Sequence, residues 1–315
     1  MPLPLFDEVP LGRGRSVRLY CEDAVPGLRS RLGRARADVV VTSPPYNLGV
    51  RYSTYRDDRP REEYLRWTGR VRDAVREVLS ERGSFFLNIG GPPSDPWLPW
   101  DVAREVARGF VLQNVLHWVK SIAIDRASAG RAAGLDRDLA LGHYKPVRSV
   151  RYVHGAQEYV FHFTRRGDVP LDRLAVGVPY GDKSNVTRWR AAGAADRRCR
   201  GNTWFLPYPT IRIRARDRPH PATFPPELPE WCVRLHGLAR TRLVVDPFVG
   251  IGSSAVAAAR LGVSFVGFDL DAEYLRVAAQ RVRREVVDGG RKPRRAVPKG
   301  RRRTVTSGRA AGTLP

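Results

Sequence analysis

The sequence predicts an α/β fold built on a doubly wound, mostly parallel sheet. Three observations carry that prediction. Strand-length apolar runs alternate with helix-period stretches through most of the chain. The runs at 39–41 and 243–245 are continuously apolar rather than alternating, as strands covered on both faces are. Both of these runs end in turn chemistry that suits a ligand, which is where ligands sit in such sheets, beyond the carboxyl ends of the strands.

Taken in order, residues 1–14 are a Pro-, Gly- and Arg-rich lead-in, 17–21 a strand, 27–32 a short helix and 38–42 the strand before Ser43. Leu65, Val71, Val75, Val78 and Leu79 recur at helical spacing, which predicts a helix over 62–80; a shorter one follows over 101–108. In the second half, Leu243-Val244-Val245-Asp246 reads as a buried strand. A tight glycine turn and a helix follow, with Ser253 or Ser254 as N-cap. The next strand, 264–269, ends in Asp269, 17 residues beyond Gly252. Two long connections, 47–61 and 121–150, show no clear period. Loops of that length in a compact domain are commonly functional or disordered. For 47–61, a flap that orders over a partner and an ordinary surface loop are both open readings.

Composition narrows the partners. Net charge is +23 over 315 residues, with a pI near 11.0, which points to a polyanion. Ribosomal and membrane-surface proteins share that property. Only five lysines stand against fifty arginines, a bias that genome base composition produces as readily as phosphate recognition does. No apolar run approaches the ~20 residues of a membrane span, and the first residues lack a secretory signal. Cys21, Cys199 and Cys232 show no paired spacing and imply reduced thiols. The six histidines are scattered, so no metal site is expected.

The two turns carry the chemistry. In Thr42-Ser43-Pro44-Pro45-Tyr46 the prolines fix φ and remove two N–H donors. The carbonyls there are left as acceptors, beside the Ser43 hydroxyl and the aromatic face of Tyr46. An amine on a flat heteroaromatic ring fits that set; a plain Pro-Pro turn with a half-buried tyrosine is the bland alternative. In Asp246-Pro247-Phe248-Val249-Gly250-Ile251-Gly252 the glycines allow close approach of a ligand, and Asp269 is placed for a ribose diol. The third glycine of a dinucleotide motif is here Ala255, which favours a nucleoside cofactor without pyrophosphate over NAD. A glycine turn without a ligand also stays open.

Together these segments resemble the amino-methylating DNA methyltransferases, in the permuted group whose catalytic motif precedes the cofactor motif. The resemblance runs from about residue 19 to about residue 284. Residues 83–91, 117–120 and 157–163 look like the strands that follow the catalytic motif, and His220-Pro221-Ala222-Thr223-Phe224-Pro225 like the segment before the cofactor strand. The resemblance implies a Rossmann-like methyltransferase sheet and S-adenosylmethionine as cofactor. Asp23, Thr223, Phe224, Asp246, Phe248, Gly250, Gly252 and Asp269 are its expected contacts. It implies Ser43, Pro44, Pro45 and Tyr46 as the catalytic set acting on a flipped base. Serine at position 43, after Thr42, is common among N4-cytosine enzymes, and aspartate at that position among N6-adenine enzymes, so N4-cytosine is expected ahead of N6-adenine. Carbon-5 methylation needs a Pro-Cys nucleophile, whereas the cysteines here follow Tyr20, Arg198 and Trp231.

The implied layout is a catalytic half over 15–164, a target-recognition region over 165–203, a cofactor half over 204–288 and a basic, disordered tail over 289–315. Lys183, Arg188, Arg190, Arg197, Arg198 and Arg200 are the expected DNA contacts, for phosphates or guanine edges. Double-stranded DNA is the expected partner and a prokaryotic cytoplasm, at the nucleoid, the expected location. A cognate restriction endonuclease, and monomer against homodimer, stay open. A catalytically silent DNA-binding scaffold is the rival from another class, and cofactor binding without methylation is its signature. Glutamine methyltransferases share a Pro-Pro-Tyr clamp, but with the cofactor motif first. RNA as substrate stays open.

Overall fold

The computed structural model describes residues 5–33, 36–130, 135–142, 149–181, 196–207 and 223–289. Its elements are β1 (Asp7–Gly12), β2 (Arg15–Cys21), α1 (Ala24–Leu32), β3 (Ala37–Thr42), α2 (Arg61–Val78), β4 (Leu79–Ile89), α3 (Leu98–Ala107) and β5 (Val111–Val119). They continue with β6 (Ser121–Ile124), α4 (Arg126–Ala129), β7 (Leu139–Gly142), β8 (Gln157–Thr164), β9 (Thr203–Phe205), α5 (Glu227–His236), β10 (Leu243–Asp246), α6 (Ser253–Leu261), β11 (Ser264–Asp269) and α7 (Ala272–Gly289).

Nine strands form one sheet in the order β1-β2-β11-β10-β3-β4-β8-β5-β9. The centre is parallel from β2 through β4. β8 runs antiparallel between β4 and β5. The expected mostly parallel, methyltransferase-like sheet is therefore present, and the antiparallel β1 and β8 make it mixed.

The pleat explains why both faces are covered. Val39 and Val41 of β3 join one buried cluster, with Leu228, Cys232 and Val233 of α5, Val256 of α6 and Leu275 and Val282 of α7. Val40 joins the other, with Leu28 of α1, Tyr64, Trp67, Val71 and Val75 of α2 and Val102 of α3. Period-two side-chain alternation along a strand thus feeds two cores from one apolar run.

Three local expectations are corrected. The lead-in is not outside the fold: β1 pairs antiparallel with β2 at the sheet edge, and Asp7 takes Arg283 of α7 at 2.6 Å. The helix expected over 62–80 ends at Val78, because Leu79 adopts extended backbone and begins β4. Its buried face is also wider than the spacing implied, with Tyr64, Trp67, Thr68 and Ala74 buried. In the connection 121–150, β6 and β7 pair as a separate ribbon. The basic tail expected beyond Gly289 lies outside the described residues.

The arrangement that matters for function is at the centre. β3 and β10 lie side by side, Val39 against Val244 and Val40 against Val245. Two turns some 200 residues apart in the chain therefore open from the same sheet edge.

Candidate active site

The turn after β3 is held by its neighbours. The Tyr64 hydroxyl donates to the Pro45 carbonyl at 2.7 Å, and Thr42 Oγ1 donates to Asp246 Oδ1 at 2.5 Å. No hydrogen bond to the Pro44 carbonyl is found among the described residues, so it stays available as an acceptor. Across the sheet, Tyr46 is tied to β8 and β4. Its hydroxyl donates to Glu158 Oε2 at 2.9 Å and lies 2.8 Å from Ser43 Oγ. Asn88 Nδ2 approaches Tyr46 Oη at 2.6 Å and Glu158 Oε2 at 2.9 Å. Lys120 Nζ pairs with Glu158 Oε1 at 3.0 Å. Burial of the phenol, reinforced by the Glu158 charge, raises the Tyr46 pKa well above its ordinary value. Tyr46 therefore stays a neutral ring with one hydroxyl proton.

The turn after β10 is built around buried carboxylates. Asp246 is 1% exposed. It accepts from Thr42 and Phe248 N at 2.5 and 2.9 Å on one oxygen, and from Ser254 Oγ at 2.5 Å on the other. Burial pushes its pKa up to about 6 although these three donors oppose the shift. Asp269 accepts from Gly250 N and Asp271 N, both at 2.9 Å, and burial likewise pushes it up to about 6. Gly250 and Gly252 both adopt positive φ, 50° and 81°. A Cβ on Gly252 would also stand 2.7 Å from the Ala278 Cβ of α7.

These turns meet in one pocket of about 350 Å³, within the range of small-molecule sites. Its lining includes Asp23, Ser43, Pro44, Pro45, Tyr46, Thr223, Phe224, Phe248, Gly250 and Asp269. Two residues expected to touch the cofactor stand behind this wall instead. The Asp246 oxygens are committed to protein donors, which makes it a brace between the two turns rather than a free acceptor. Gly252 is required by the close approach of α7, and it is the N-cap of α6, with no side-chain cap. The expected serine cap fails because the Ser254 hydroxyl goes to Asp246. Asp23 caps α1, accepting from Val25 N at 2.7 Å, and also lines the pocket.

Several pocket residues were not foreseen. The segment after Tyr46 is a pinned wall. Asp57, 3% exposed, accepts from Asn47 N, Leu48 N and Val50 N at 2.8, 3.0 and 3.1 Å, and Ser53 donates to Asp271. This places Tyr52, Tyr55, Arg56 and Arg59 on the pocket beside Trp67 and Tyr274. The readable signal in this segment was an aspartate among tyrosines and arginines, since a carboxylate can gather several N–H groups into a tight loop. Asn88 also carried a signal, as a polar residue inside the apolar run of β4. Glu158 and Lys120 carried none.

The basic residues divide. Lys183, Arg188 and Arg190 lie outside the described residues. Arg197 donates to Gly177 O at 2.5 Å. Arg200 donates to Val176 O at 2.8 Å and stacks 4.0 Å over Trp231, and burial lowers its pKa. Arg200 thus packs on Trp231, and Arg197 and Arg200 are both partly committed to the protein. Arg198 is exposed.

Comparison with known proteins closes this description. Residues 37–280 match the family model described as DNA methylase. The Type II methyltransferase M.BglII of Bacillus subtilis is 26% identical over 254 residues, covering 77% of this chain and 62% of that protein. M.ScaI, a Type II methyltransferase of Streptomyces caespitosus, is 25% identical over 280 residues, covering 85% and 82%. The chain thus spans less than two thirds of the length of M.BglII. The solved structure of PvuII DNA methyltransferase (cytosine-N4-specific) is similar in fold, with a TM-score of 0.57 at 18% identity, over 87% of this chain and 92% of that one.

Proposed function

The chain belongs to the DNA methylase family that modifies N6 and N4 amines, and we propose that it methylates the N4 amine of a cytosine turned out of duplex DNA. The methyl donor is S-adenosylmethionine, which supplies an electrophilic methyl group on a sulfonium. Asp269 would hold its ribose hydroxyls, Phe248 and Asp23 its adenine side, Gly250 the close approach, and Thr223 and Phe224 its methionine end.

The observation that supports an amine substrate is the acceptor set in the pocket, and the serine at position 43 is what favours cytosine over adenine. Exocyclic amines are poor nucleophiles because the lone pair is delocalised into the ring. Ser43 Oγ and the Pro44 carbonyl accept the two N–H bonds, draw the nitrogen toward tetrahedral geometry and localise its lone pair. Alignment behind the methyl group is then catalysis by orientation. Tyr46 offers its ring to the base, with the hydroxyl end anchored by Glu158 and Asn88. The Ser43 hydroxyl is a weaker acceptor than a carboxylate at that position, and cytosine is the smaller ring.

DNA is read by segment 165–203, to which the exposed Arg198 belongs, with the arginines on the pocket rim, Arg56, Arg59 and Arg70, holding phosphates. Residues 15–164 form the catalytic half and 204–288 the cofactor half.

The test is incubation of the pure protein with methyl-labelled S-adenosylmethionine and mixed duplex DNA, followed by nucleoside mass spectrometry of the digest. N4-methylcytosine, lost in Tyr46→Ala, is the expected result. N6-methyladenine would overturn the reading of Ser43 and leave the family intact. Labelled RNA in a parallel arm, with unlabelled DNA, would overturn the substrate.

A further inference from the structure

We propose that Glu158 is a positioning residue that sets the direction of the Ser43 hydroxyl, so that the pocket accepts an amine and turns away a carbonyl. The inference rests on the amine-methylation reading above.

The argument is one of proton counting. Lys120 sits 3.0 Å from Glu158 Oε1, and an ionised carboxylate can only accept. Two groups face its other oxygen, the Tyr46 hydroxyl and Asn88 Nδ2, both at 2.9 Å. Turning the Asn88 amide over would set two acceptor oxygens against each other there, so Nδ2 is correctly placed. Tyr46 has a single hydroxyl proton. If it pointed at Ser43, Tyr46 Oη would face a carboxylate at 2.9 Å with no hydrogen between them. The charged acceptor wins, and the proton lies toward Glu158.

Tyr46 Oη is then an acceptor toward its remaining neighbours. Asn88 Nδ2, at 2.6 Å, donates to it. Ser43 Oγ, at 2.8 Å, must do the same. The Ser43 proton is thereby turned inward; Asn88 Nδ2 makes only a long contact to Ser43 Oγ, at 3.4 Å, and the oxygen keeps lone-pair density for an incoming N–H. An N–H of cytosine is satisfied there, whereas the O4 carbonyl of uracil or thymine meets another acceptor. Sites built to hydrogen-bond a substrate N–H reject the analogue lacking it far more strongly than apolar pockets do. Asn88 Oδ1 is buried with no partner among the described residues, a further acceptor beside the same cluster. Gly90 is part of the arrangement, since a Cβ there would stand 2.8 Å from Glu158 Cγ and 3.4 Å from the Tyr46 ring.

A double-mutant cycle between Glu158→Gln and Tyr46→Phe tests this on the full chain, with mixed duplex DNA and labelled S-adenosylmethionine. Glu158→Gln offers Tyr46 either an oxygen or an NH2 and so releases the proton order. The expected result is a fall in kcat of about tenfold with unchanged cofactor affinity, and no further fall when it is added to Tyr46→Phe. Discrimination between DNA carrying cytosine and DNA carrying uracil at the mapped target also narrows in Glu158→Gln. An unchanged kcat, or a full extra loss in the Tyr46→Phe background, would overturn the proposal. Should Glu158→Gln not bind cofactor, Glu158→Asp, which is too short to hold Tyr46, replaces it in the cycle. A wild-type protein that methylates no amine refutes the underlying reading. An active wild type with an indifferent Glu158 refutes only this inference.

Discussion

β4 and β8 carry two buried polar knots on the same face of the sheet, and only one of them is closed. At the inner knot, Asn114 Nδ2 donates to His162 Nδ1 at 3.0 Å. His162 Nε2 then carries the proton and donates to Ser84 Oγ at 2.9 Å, and Ser84 donates to His236 Nδ1 at 2.9 Å. Ser84 and His162 are fully buried, and His236 is 2% exposed. Burial lowers the pKa of His162 to about 3, with His236 adding to the effect, and that of His236 to about 4, with Arg240 adding. Four residues away on each of these antiparallel strands, Asn88 and Glu158 form the outer knot with Ser43 and Tyr46. There Asn88 Oδ1 has no partner among the described residues, and on the proposed proton order the lone pairs of Ser43 face the pocket. A closed network contributes stability; the outer one, short of donors, lies at the carboxyl edge of the parallel centre, where ligands sit in such sheets.

The contrast can be broken at three points. The largest effect belongs to Ser43→Ala, which removes the amine acceptor and, on the proposed reading, lowers single-turnover methyl transfer by about a hundredfold with cofactor binding retained. Loss of cofactor binding together with activity would make Ser43 a structural residue instead. Ser84→Ala attacks the closed knot and leaves two imidazoles without their shared partner. It should cost roughly 1–3 kcal/mol in denaturant unfolding and leave cofactor affinity at wild type; a change in affinity at constant stability would erase the distinction between the knots. The smallest effect is one of pH. Burial holds Asp269 at about 6, so above that pH its carboxylate is ionised and accepts ribose hydroxyls, and below it the group is protonated. Cofactor affinity is expected to fall about tenfold from pH 7 to pH 5. Asp269→Asn should bind weakly at both values, with a reduced pH dependence measurable by calorimetry.

Much of the site was legible because the chain writes turn chemistry locally. Ser43, Pro44, Pro45, Tyr46, Phe248, Gly250 and Asp269 follow directly on strands whose apolar runs announce them. The errors share a cause. Residues 7–12 were missed because an edge strand needs no apolar run, being half solvated. Ser254 was read as a cap because that role is local, whereas its partner Asp246 is reached only across a folded turn. The packing of Arg200 on Trp231 was not legible because nothing in its neighbourhood names that ring.

By itself the sequence determined the central strands, their mostly parallel run and the two turns at its carboxyl edge, since apolar periodicity and proline or glycine geometry act over a few residues. Tertiary structure alone decided which way the hydroxyls point. Glu158 stands 112 residues from Tyr46 and reaches it because β8 inserts antiparallel beside β4. Asp246 stands 204 residues from Thr42 and reaches it because β3 and β10 are neighbours. Proton direction in such a site is set by which groups can only accept and which can only donate, and those groups meet only once the sheet has closed the distance.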